Sequence, residues 1–78
     1  MTDTQRKADL EIVEIELRRF NLAMCDRWTR EDYALDDKLA AQERELTKNY
    51  IATYGTNPRR MECKYHNEVV NLYNELRS

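Results

Sequence analysis

Seventy-eight residues make at most one domain, because chains divide into separate cores only at several times this length. With 36% charged and 41% apolar residues, one glycine and one proline, the composition excludes collagen-like, linker-like and membrane-spanning classes and argues against a turn-rich β-sandwich. Thirteen basic and fifteen acidic side chains leave a formal net charge of −2, which indicates neither nucleic acid nor an anionic membrane as a partner.

The opening residues MTDTQRKADL lack the apolar stretch of a secretory signal. The longest uninterrupted apolar run is Leu22-Ala23-Met24-Cys25, far short of the roughly 20 residues that a bilayer span needs. Two cysteines far apart in sequence, Cys25 and Cys63, do not make a disulfide framework, so free thiols in a reducing cytoplasm are expected. Residues 1–78 read as one soluble, cytoplasmic helical domain.

Helix 1 is predicted over about residues 4–27, with Thr2, Asp3 or Thr4 as N-cap. Its stripe is Leu10, Val13, Leu17, Phe20, Met24 and Trp28, spaced three or four apart. Helix 2 is predicted over residues 30–54. Thr29 is its N-cap and Glu31 and Asp32 favour its positive end, while Leu35, Leu39, Leu46, Tyr50 and Tyr54 mark one face. Gly55 fits the left-handed position after a helix. The Thr29 break is the weaker boundary, since neither glycine nor proline stands there, and one continuous helix of about 50 residues is the alternative. Helix 3 is predicted over residues 58–77, with Asn57 as cap, Pro58 at the first helical position, and Met61, Tyr65, Val69, Leu72 and Leu76 facing inward. Short connections then predict a small antiparallel three-helix bundle in up-down-up order, an all-α fold.

Each helix also carries apolar residues away from its main stripe. Ala8, Ile12, Ile15 and Leu22 lie opposite the helix 1 stripe, and Tyr33, Ala40 and Ile51 form a thinner face on helix 2. On helix 3 the extra residues are Cys63 with Val70, and His66 with Tyr73 further round. Scattered exposed apolar residues are ordinary. Three aliphatic side chains on one face are nevertheless worth on the order of 5 kcal/mol, at roughly 1.5–3 kcal/mol each. The expected partner-binding residues are therefore Ile12, Ile15, Leu22, Tyr33, Val70 and Tyr73, used in a homodimer or against a different protein.

Chemical sites are harder to find. Cys63 and His66 share one turn, but a zinc site needs three or four ligands and no second histidine exists. The carboxylates interleave with basic residues as solvated faces do, so no catalytic residue, metal or cofactor is expected. Arg59 and Arg60 add positive charge to the predicted first turn of helix 3, which runs against the helix dipole. Either they pair with acids of helix 1 or 2, or they hold an anion at that helix start.

In being short, all-helical and without a catalytic motif, the chain resembles the small accessory proteins of phages and other mobile elements. That resemblance places inhibition of a host protein among the candidate functions. The expected function is a non-enzymatic interaction module that occupies a partner surface. The alternative is a small helical enzyme or nucleotide-binding bundle using Arg59 and Arg60, while nucleic-acid binding is disfavoured by the charge balance.

Overall fold

Thr2 starts the first helix, because its hydroxyl accepts the Gln5 backbone N–H at 3.1 Å and satisfies one donor that a helix start leaves free. The computed structural model describes residues 2–78, and this helix, α1, runs Asp3–Ala23. It ends a turn before the predicted boundary at residue 27. Trp28 causes this: its indole Nε1–H donates to the Leu22 carbonyl at 2.8 Å, and the Cys25 N–H reaches the same oxygen at 3.1 Å. The chain therefore turns away after Met24.

The Thr29 break is present, and a reciprocal cap makes it. The Thr29 hydroxyl accepts the Asp32 N–H at 3.3 Å, and the Asp32 carboxylate accepts the Thr29 N–H at 2.9 Å. Helix α2 runs Arg30–Tyr54 and stops at Gly55, whose φ of 70° is the left-handed conformation expected there.

The third segment departs from expectation. Pro58 does not begin a long helix; Arg59–Glu62 form a 3-10 turn, the chain is extended at Cys63, and α3 runs only His66–Arg77. One tertiary contact and one local cap outweigh the Asn57-Pro58 signal. The Arg59 N–H is drawn to the Asp9 carboxylate at 3.1 Å, and the Glu68 carboxylate accepts the N–H groups of Lys64 and Tyr65 at 2.6 and 3.1 Å. Glu68 thereby sets the helix start at His66. Arg59 and Arg60 consequently lie ahead of α3, and the expected conflict with its dipole disappears.

The path of the chain also differs from up-down-up. Arg19 of α1 meets Asp36 and Gln5 meets Tyr50, so α2 runs antiparallel to α1. His66 lies edge-on to Phe20 and the Ser78 carbonyl accepts from Arg6, so α3 is antiparallel to α1 as well. Helices α2 and α3 thus run in the same direction, and residues 55–65 climb back along the molecule between them. Helix α1 is central: it packs against both neighbours, which have at most marginal contact with each other. The radius of gyration is 13.0 Å, above the roughly 11.5 Å of a fully compact chain this long, and the extents of 39 × 24 × 18 Å are those of an elongated layer.

A central helix needs an apolar face toward each neighbour. Toward α3, Val13 joins Val69, Leu72 and Leu76, with Leu10, Leu17, Phe20, Cys63 and Tyr73 around them. Outside this cluster Ile12 and Ile15 are only 1% and 9% exposed, and Leu39 and Tyr50 of α2 are buried too. The expectation that Ile12 and Ile15 form an outward stripe is therefore corrected: they are the second core face of α1. Conversely, Met61 and Tyr65, expected inside, are 48% and 65% exposed, because they precede α3 and do not share its inward face.

Candidate functional site

Asp9 and Glu16 stand seven residues apart on α1, and Asp36, Glu43 and Tyr50 at the same interval on α2, so each set shares one helix face. The two faces meet. Asp9 is fully buried, accepting the Tyr50 hydroxyl at 3.1 Å on one oxygen and the Arg59 N–H at 3.1 Å on the other. Tyr50 in turn accepts from Gln5 Nε2 at 2.9 Å.

Two turns further along, Glu43 is buried beneath two arginines. Arg19 donates to it at 3.3 Å and to Asp36 at 3.2 Å, while Arg60 pairs with the other Glu43 oxygen and lies 3.7 Å from Glu16. The Glu16 carboxyl is pushed above its ordinary value of 4.5 by burial, then by a hydrogen bond to Glu43 and repulsion from its charge, against the pull of Arg60 and Arg19. Burial likewise raises the Tyr50 phenol. Glu16, Arg19 and Asp36 also line a shallow cavity of ≈ 280 Å³ with Phe20, Ala23 and Trp28. The cluster can hold a proton on Glu16. Its arginines, however, already grip carboxylates of this chain, which is how a structural ion-pair network is built.

The arginines singled out in the sequence both pair with acids. The Arg59 guanidinium is bound to Glu75 at 3.0 and 3.1 Å, and Arg60 is inserted between α1 and α2. Cys63 packs at the edge of the α1–α3 core, where burial raises its thiol, and His66 sits edge-on to Phe20 at 5.6 Å between ring centroids. Among the described residues no three His, Cys, Asp or Glu side chains are arranged to hold a metal, and no helix is long and apolar enough to cross a membrane.

The expected partner-binding residues do not form one surface. Ile12 and Ile15 are core, Leu22 and Val70 are half-buried, and Tyr73 packs on the α1–α3 core under the Arg77 guanidinium, 5.2 Å from its ring. Tyr33 is exposed, edge-on to Trp28 at 5.0 Å between centroids. Self-association through the Ile12–Ile15 stripe therefore loses its structural basis.

Two grooves flank α2 instead. One, of ≈ 490 Å³, lies between α2 and the 3-10 turn and is lined by Arg44, Thr47, Lys48, Ile51 and Met61, with Glu43 and Arg60 at its base. The other, of ≈ 380 Å³, lies between α1 and α2 and is lined by Glu11, Glu14, Ile15, Arg18, Gln42, Glu45 and Leu46. In the sequence Ile51 falls on the extra face of helix 2, whereas Met61 falls on the inward stripe of helix 3, from which the 3-10 turn removes it. The signal for Glu43 was present: the helix 2 stripe skips from Leu39 to Leu46, and Glu43 occupies the gap. Comparison of the chain with family models, curated proteins and solved structures finds no match.

Proposed function

We propose that this protein is a non-enzymatic interaction module that acts by occupying a surface of another protein, in the manner of the small inhibitors that phages and other mobile elements carry. The observation that supports the reading is the groove beside α2, where Ile51 and Met61 are 41% and 48% exposed in adjoining elements. Large apolar side chains left together at a surface are the usual mark of a contact site. The groups that chemistry would need are meanwhile spent internally. Glu16 and Glu43 face arginines, Asp9 is saturated by Tyr50 and Arg59, and Arg59 is neutralised by Glu75. The same pairing weighs against anion binding by Arg59 and Arg60. On this reading the chain works in the cytoplasm, where the free thiols Cys25 and Cys63 stay reduced.

The test places a photo-reactive benzoylphenylalanine at position 51 or 61 in cells that make the protein. A single discrete adduct with one other protein is expected from both positions and not from exposed Asn74 on α3. Failure to form any adduct from positions 51, 61, 33 and 35 would overturn the interaction reading.

A further inference from the structure

The occupant of the α2 groove can be specified by its chemistry. We infer that this groove docks a short amphipathic helix with acidic flanks, supplied by the partner protein, an assignment that rests on the interaction reading above.

The floor is apolar and adaptable: Ile51 from α2 and Met61 from the 3-10 turn, the latter flexible enough to fit ligands of uneven shape. The bank is cationic. Arg44 and Lys48 stand one helical turn apart, and among the described residues neither makes an ion pair, unlike Arg19, Arg59 and Arg60. Arg60, at the base of the groove, is turned inward to Glu16 and Glu43, so Arg44 and Lys48 are the cations left to face a ligand.

Length narrows the ligand further. Residues 44–51 extend roughly 10.5 Å along α2, two turns at 1.5 Å per residue. A helix laid alongside presents apolar side chains at three-four spacing over that distance, and carboxylates one turn apart on its flank meet Arg44 and Lys48. The other side of α2 is net acidic, since Glu11, Glu14 and Glu45 outnumber Arg18 around the second groove and disfavour the same ligand. Nucleic acid fits less well: two uncommitted cations make a poor phosphate track, and the apolar floor would go unused.

The assignment is tested with a stapled helical peptide of about four turns, leucines at three-four spacing and glutamates on both flanks, titrated into the isotope-labelled full chain. Amide shifts are expected to centre on Arg44, Thr47, Lys48, Ile51 and Met61. A lysine-flanked peptide should bind roughly ten-fold more weakly, a difference of about 1.4 kcal/mol. The R44E/K48E variant, changed only at exposed positions, should keep its helical spectrum and reverse that preference. Added salt should weaken the acidic peptide selectively.

Equal affinity for both peptides, shifts centred on Glu11 and Glu45, or tighter binding to phosphatidylserine vesicles or duplex DNA would overturn it. So would a dimer of the chain itself occupying the groove. A cellular adduct formed only from positions 33 or 35 would also remove this docking site while leaving the interaction reading intact. An absence of adducts from all four positions would sink that reading itself.

Discussion

Toward α3, the central helix presents Leu10, Val13, Leu17 and Phe20, and Val69, Leu72 and Leu76 close over Val13. Toward α2 it presents Ile12 and Ile15 together with Asp9, Glu16 and Arg19, which meet Tyr50, Glu43 and Asp36. The first interface is held by area removed from water, which is strong and indifferent to register. The second removes charges from water, which costs desolvation and returns it only when every partner is in place. Apolar stripes of similar spacing can slide by a heptad, whereas Arg19 finds both Asp36 and Glu43 in one alignment only. The apolar side supplies stability, and the charged side fixes how the helices are set against each other.

The largest expected effect lies on the apolar side. Leu72→Ala should cost about 2–5 kcal/mol, enough in a chain this small to abolish a cooperative melt followed by circular dichroism. A Leu72→Ala protein melting within a few degrees of wild type would break the contrast. On the charged side, Glu43→Ala leaves Arg19 and Arg60 facing each other across the lost carboxylate. Because both arginines keep partial contact with water, the cost should be about 2 kcal/mol, below the 3–5 kcal/mol of a fully enclosed pair. Replacing Glu43 and Arg60 together with Leu and Met should recover much of that stability while broadening the amide spectrum, as the α1–α2 register loosens.

Smaller effects sharpen the same picture. Thr29→Ala removes the reciprocal cap of α2 and should lower stability by about 1 kcal/mol in chemical denaturation. Glu16, whose carboxyl is raised above 4.5 chiefly by burial, keeps its proton in the folded chain where the unfolded chain has released it. Stability should therefore fall as pH rises from 4.5 through the raised value, and Glu16→Gln should flatten that part of the thermal profile. Glu68 works in the opposite sense. Backbone N–H groups of Lys64 and Tyr65 hold it below 4.5, so its contribution is present above that value and lost as pH falls through the lowered one. Least of all, Arg59→Gln breaks only an exposed pair with Glu75 and should change stability by about 0.5 kcal/mol or less.

The helices were readable where local chemistry decides. Thr29 and Gly55 bound α2 as their capping preferences require, and the spacing of Leu10, Val13, Leu17 and Phe20 marks the face that α3 covers. What escaped was decided at a distance. Asn57-Pro58 reads as a helix start, but Asp9, some fifty residues upstream, claims the Arg59 N–H and leaves a 3-10 turn. Ile12 and Ile15 looked surplus because one stripe suffices for a helix with a single neighbouring layer, and nothing local announces that α1 has neighbours on two sides. Of the groove beside α2, only Ile51 stands out in the sequence, on the extra face of helix 2, while Arg44 and Lys48 are lost among the solvated charges. Their meeting with Met61 depends on the same misread turn, so the site could not be assembled from periodicity alone.

Since α2 and α3 scarcely touch, the order in which the chain leaves the ribosome matters. The α1–α2 hairpin can close once residue 60 is clear, when Arg19 meets Asp36 and Glu43 and the following turn brings Arg59 to Asp9 and Arg60 to Glu43. The opposite side of α1, with Leu10, Val13, Leu17 and Phe20, stays uncovered until residues 66–77 emerge to dock on it. For that interval a nascent chain shows the cell a bare aliphatic strip, the kind of surface that chaperones hold and proteases sample.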